Sequence, residues 1–159
     1  MLSKVLSKIL KQLLNDPLKL PIRAFCYVYV IYLRNKRNIT VGKNLKLNGL
    51  PLLDIQGNCS LELGDNVSLN SRNRGYHLNL HSPVKIYADR PNAKVKIGSN
   101  SRINGACIHA FESISIGQNC LIAANTQIMD SNGHDLSFPN VAERIHTEGT
   151  SKPVFISDN

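Results

Sequence analysis

An all-β solenoid, short strands wound into stacked coils, is the fold class this sequence predicts. Three observations carry that prediction. The stretch Ile116-Gly117-Gln118-Asn119-Cys120 recurs as Val41-Gly42-Lys43-Asn44-Leu45, Leu63-Gly64-Asp65-Asn66-Val67 and Ile97-Gly98-Ser99-Asn100-Ser101, and Ile156-Ser157-Asp158-Asn159 makes a fifth copy. A second aliphatic stands two residues before each copy: Ile39, Leu61, Val95, Ile114 and Val154. Gly98 and Gly117 are 19 residues apart, close to one coil of three hexapeptides, ~18 residues. An ordinary all-β domain with regularly spaced glycine turns is the competing reading. Five copies with the asparagine in register favour the solenoid.

Each part of the repeat has a physical reading. Aliphatics two apart share one face of a short strand, here the inward face. Glycine followed two residues later by asparagine suits a sharp corner, because both tolerate left-handed backbone geometry. Strand and corner in alternation give a coil, and stacked coils pair their strands in parallel at a rise of ~4.8 Å. The spacings of 22 (Gly42 to Gly64), 34 (Gly64 to Gly98) and 40 residues (Gly117 to Ser157) demand insertions. Residues 71–75 and 88–92 read as insertions at corners. The pattern is clean from Val95 to Met129, fails over 131–152, and resumes at Val154, so 131–152 reads as a loop excursion from the coil. The domain plan is therefore a helical segment over 1–38 and coils over 39–159.

Charge separates the same two parts. Residues 1–38 carry eight basic side chains against Asp16, a net of +7, whereas the other 121 residues carry 11 basic and 10 acidic ones, a net of +1. A nearly neutral body lacks the basic stripe that nucleic acid requires. Over residues 2–15, Leu2, Val5, Leu6, Ile9, Leu10, Leu13 and Leu14 fall on one helical face and Lys4, Lys8 and Lys11 on the other, an amphipathic helix that Asp16-Pro17 ends. Residues 24–33 are ten uninterrupted apolar positions, short of the ~20 that span a bilayer. Two readings stand for this region: a helix that caps the open end of the solenoid, or peripheral attachment to an anionic membrane through residues 1–38. Cys26, Cys59, Cys107 and Cys120 show no CxxC spacing. With no signal-peptide pattern in view, the expected setting is reducing and cytoplasmic, peripheral to the inner face of the membrane if the N-terminus attaches there. His77 and His81, four apart with no second histidine pair, give no zinc pattern, and no metal is expected.

The candidate chemistry lies where the coil pattern breaks. Gly133-His134-Asp135 opens the excursion. A histidine leaving a rigid corner on a glycine projects into a groove, and Asp130 or Asp135 is placed to orient its ring. A positioned imidazole is what a general base needs, worth roughly 10²–10⁴ in rate; the plain alternative is an idle, solvent-exposed histidine. His109, one coil below, is a candidate for lining an acceptor groove. His146 and Arg144 read as solvated loop residues.

The run ISIGQNCLIAAN over 114–125, then Gly133-His134, then KPVFISDN over 152–159 resembles the hexapeptide-repeat O-acetyltransferases. It is similar to their maltose and galactoside acetyltransferase branch and the polysaccharide-modifying relatives of that branch. The resemblance covers about residues 39–159. It implies coils wound left-handed, a left-handed parallel β-helix that departs from the right-handed crossover rule, and a homotrimer with active sites between neighbouring subunits. It implies acetyl-CoA as co-substrate, no metal, and a saccharide acceptor belonging to surface polysaccharide or glycolipid biosynthesis. It makes His134 the base that deprotonates a sugar hydroxyl, and it puts Asn104 where the family binds its acceptor. The family often has His-Pro where this chain has His134-Asp135, which leaves the part of Asp135 open. Family members continue past the fifth corner, which has Ser157 for the usual glycine, so the chain reads as truncated and CoA-binding residues are expected mostly beyond Asn159. Two alternatives remain: a non-catalytic trimerising solenoid, and a serine O-acetyltransferase, disfavoured because the helical region expected there is much longer.

Overall fold

All five copies of the repeat lie on one side of a three-sided coil. In the computed structural model, which describes Ser7, residues 14–135 and residues 139–159, they form β1 (Ile39–Val41), β4 (Ser60–Leu63), β7 (Lys94–Ile97), β10 (Ser113–Ile116) and β13 (Val154–Ile156). These strands pair in parallel in that order, with Ile39, Leu61, Val95, Ile114 and Val154 in one column. A second parallel sheet is made by β2 (Lys46–Asn48), β5 (Ser68–Asn70), β8 (Arg102–Asn104) and β11 (Leu121–Ile122). The third holds β3 (Leu52–Ile55), β6 (Lys85–Ala88), β9 (Cys107–Ala110) and β12 (Gln127–Met129). Each strand pairs with the one three places on, so the chain visits the sheets in rotation. That is a parallel β-solenoid. Alternation along the strands sends Leu61, Leu63, Leu69, Ile86, Val95, Ile97, Ile103, Ile108, Ile114 and Ile116 inward, each at most 1% exposed. Side chains buried to this degree contribute roughly 1.5–3 kcal/mol each.

Glycine and asparagine divide the work of the corner differently from the sequence expectation. Asn44, Asn66, Asn100 and Asn119 take left-handed backbone with φ between 56° and 61°. Their side-chain amides stack into a ladder, each donating to the next at 3.0–3.2 Å. The glycines beside them do not adopt positive φ. They are glycines because coil sits on coil: a Cβ on Gly98 would lie 2.5 Å from the carbonyl carbon of Gly117, and one on Gly42 equally close to that of Gly64. Backbone cannot step aside as a side chain can. Gly98→Ala is therefore expected to destabilise the protein by about 1–3 kcal/mol, seen as a lower Tm; an unchanged Tm would mean that the coils spread freely.

The insertion expected at 71–75 is present and longer. Residues 71–84 join β5 to β6, with Leu80 buried beneath them. Residues 88–92, also expected as an insertion, belong to a lengthened corner: five residues separate Ala88 from Lys94 where four separate their partners Ile55 and Ser60, and Asn92, with φ of 65°, pairs with Asn58 of the corner below at 2.8 Å. Among the described residues all four cysteines are free thiols.

Residues Lys19–Arg34 form α1, which packs on β1 and β2 of the first coil. Leu33, 1% exposed, joins the solenoid core, and Tyr29 and Val30 pack against that core. Asp16 just ahead of α1 is tied to the 71–84 loop by Arg72 at 2.5 Å. The Arg72 hydrogen bond holds the Asp16 carboxyl below the usual aspartate value, so the tie is kept at neutral pH and released only as pH falls through that lowered value. The amphipathic helix expected over 2–15 lies mostly outside the described residues; Leu14 and Asn15 are helical. No helix among the described residues is long and apolar enough to cross a membrane.

Candidate active site

The excursion between β12 and β13 is rooted on one carboxylate. Asp130, 5% exposed, accepts the backbone N–H of Phe111 at 2.7 Å with one oxygen and that of Glu112 at 2.8 Å with the other. Its own carbonyl accepts the N–H of Lys152 at 2.8 Å, where the loop returns. Between these points the two arms pair. Ser131 and Ser151 form an antiparallel bridge, and the Asn132 side chain accepts from the N–H of Thr150 at 3.0 Å. Ser151 Oγ donates to Glu112 at 3.1 Å. Gly149 fits only as glycine, since a Cβ there would come within 2.7 Å of Gly133 backbone. The stretch expected to be irregular thus begins and ends as a short pinched stem.

His134 stands at the top of that stem. It is exposed, and its Nδ1 lies 3.4 Å from the carbonyl oxygen of Thr147. Thr147 is fixed in turn, because its Oγ1 donates to the Arg144 carbonyl at 2.8 Å and accepts the Asp135 N–H at 3.0 Å. The Asp130 carboxylate is committed to the corner below and not to the ring as the sequence suggested, and a carbonyl faces Nδ1. Asp135 braces the loop through its backbone.

Asn104 is not presented to an acceptor. It is 1% exposed and belongs to a ladder in which Asn48 donates to Asn70 at 2.6 Å and Asn70 to Asn104 at 3.5 Å. Asn104 then donates to the Ile122 carbonyl at 2.8 Å. The amide closes a hydrogen-bond column inside the second sheet, where an unpaired polar group would cost stability. Asn125, in the same stretch as the glycine-histidine motif, also has a structural task. With φ of 62° it clamps the 71–84 loop, donating to Asn79 O at 2.7 Å and accepting from the His81 N–H at 2.9 Å.

His109 lies on the outer face of the third sheet in a group that sequence reading did not assemble. Its ring centroid is 4.6 Å from those of both Tyr87, one rung below, and Phe111 at the corner. Its Nε2 is 3.6 Å from Asp89 Oδ1, and both atoms are buried without a hydrogen-bond partner. Tyr87 donates its hydroxyl to the other Asp89 oxygen at 3.1 Å, and that bond raises the phenol pKa. Arg90 lies over the Phe111 ring and reaches Glu148 of the excursion at 3.5 Å, so the group flanks the loop that bears His134. The signal was present in the sequence, but only as every second residue on equivalent rungs, which needs the coil phase first. His77 stacks on Tyr76 and is exposed, as are His81 and His146. Among the described residues no three His, Cys, Asp or Glu side chains gather as metal ligands. No family model matches the chain, and neither a curated protein nor a solved structure matches it at a significant level.

Proposed function

We propose that the protein transfers an acetyl group from acetyl-CoA to a saccharide hydroxyl, with His134 as general base, on coils wound left-handed and assembled as a homotrimer. The setting of the His134 ring carries the reading. A carbonyl only accepts, so a hydrogen bond to Thr147 is made by the tautomer with its proton on Nδ1, whose Nε2 can take a proton. That tautomer is the one a general base requires. The resemblance over 114–125, 133–134 and 152–159 supports the reaction class.

In this reading Nε2 takes the proton of the acceptor hydroxyl as the oxygen attacks the thioester carbonyl carbon. The tetrahedral adduct collapses, the C–S bond breaks, and the imidazolium returns the proton to the departing thiolate. His109, held between Tyr87 and Phe111, lines the acceptor side. A thiol-release assay with acetyl-CoA and a panel of saccharides tests the proposal. The expected result is release that depends on the saccharide, with none when serine replaces it. Absence of acceptor-dependent release across the panel overturns the enzyme reading in favour of a non-catalytic solenoid, and release with serine alone overturns the acceptor class.

A further inference from the structure

We infer that α1 lies in the surface of an anionic bilayer through its outer face while its inner face closes the coil. The fold divides the ten apolar residues at 24–33 between two directions. Cys26 and Leu33 are buried against the first coil and Tyr29 and Val30 pack on the core, whereas Phe25 (66%), Val28 (63%), Ile31 (47%) and Tyr32 (51%) are exposed. Leu18, Phe25, Val28 and Tyr32 fall along one stripe at spacings of seven, three and four, and Leu18 too is exposed. A cap needs one apolar face, and this helix has two. A contiguous apolar surface of this kind marks an interaction site.

Charge selects the occupant. Between Asp16 and Asp54 the sequence holds Lys19, Arg23, Arg34, Lys36, Arg37, Lys43 and Lys46 and no acidic residue. Along the opposite flank of α1 from that stripe runs a groove of about 430 Å³ between the helix and the first coil, lined by Arg23, Arg34 and Lys46 together with the buried Cys26 and Leu45. Cationic walls over an apolar floor suit a phosphate head group with its chain end directed inward. Lys36 Nζ lies 5.0 Å above the Tyr32 ring, the pairing of aromatic and cation that anchors helices at a membrane surface. At 16 residues α1 is too short to span, so it rests in the plane of the interface.

The test is flotation of the full chain with vesicles of phosphatidylcholine, alone or mixed with phosphatidylglycerol. Wild type is expected to float with the mixed vesicles, less as salt is raised, and to stay behind with phosphatidylcholine alone. The triple variant Phe25→Ser, Val28→Ser, Tyr32→Ser is expected to lose binding by at least about tenfold with its Tm unchanged, because these side chains are exposed. Equal binding by the triple variant, or equal binding to neutral vesicles, overturns the inference. So does a wild type that fails to float but self-associates until the triple substitution disperses it, which would give the face to a second copy. None of these readouts depends on acetyl transfer.

Discussion

His134→Ala is expected to lower saccharide-dependent release of CoA by about 10²–10⁴-fold while leaving stability, read from the melting curve, within about 0.5 kcal/mol of wild type. The two halves of that expectation come from the same observation. The side chain is exposed and its polar contact among the described residues is long, 3.4 Å to the Thr147 carbonyl, so removing it is expected to leave no cavity and strand no buried partner. Loss of activity could then be assigned to lost proton transfer and not to a damaged coil. Partial recovery of the variant by added imidazole would strengthen the assignment. Turnover that survives in His134→Ala would remove the base from the scheme and direct attention to His109, the other imidazole flanking the excursion.

The solenoid was legible because one of its three sides is written plainly. Ile39, Leu61, Val95, Ile114 and Val154 are both the repeat in the sequence and the column in the first sheet. The other two sides are quieter. Their inward residues, Leu69 and Ile103 or Ile86 and Ile108, obey alternation but are not followed by the glycine-x-asparagine corner. Asparagines such as Asn70 and Asn104, buried next to those inward residues, add to the difficulty, since a buried ladder looks like a polar, functional position until its partners are seen. The role of glycine was misread for a related reason. Its backbone freedom is a local property that sequence suggests at once, whereas the 2.5 Å approach of the next coil exists only after stacking.

The site was less legible than the fold. Gly133-His134 could be found as a break in period, but the group that orients the ring could not, because it is a backbone carbonyl thirteen residues on. Carbonyls have no sequence signature. The Tyr87, Asp89, His109 and Phe111 group is spread over two coils separated by the corner at 89–93, and its register follows from pairing alone. At the N-terminus a sequence gives one hydrophobic run and not its two faces, so cap and membrane attachment compete for the same residues. In the structure, Leu33 seals the core while Phe25 faces outward. The four rungs from β1 to β13 then set the His134 loop roughly 19 Å along the coil from the α1 end, at ~4.8 Å per rung.

Asp130→Ala is expected to cost about 2–4 kcal/mol and to lower Tm by roughly 5–15 °C for a chain of this size. The carboxylate is 5% exposed and is the acceptor for two adjacent N–H groups, Phe111 at 2.7 Å and Glu112 at 2.8 Å. Truncation leaves both donors facing a small void at the corner. The damage should extend upward, because the same residue accepts Lys152 through its carbonyl and fixes where the stem closes. Proteolytic cleavage within 139–149 is therefore expected to accelerate in the variant, with the coils below remaining resistant. Asp130→Asn keeps the shape but offers one accepting oxygen for two donors, and should fall between wild type and Ala in both measurements. If Asp130→Ala melted like wild type and resisted protease equally, the excursion would have to be held by its other ties, among them the Ser131–Ser151 bridge, the Asn132–Thr150 and Ser151–Glu112 hydrogen bonds and the Arg90–Glu148 pair. His134 would then stand on a far looser platform than its role as a positioned base requires.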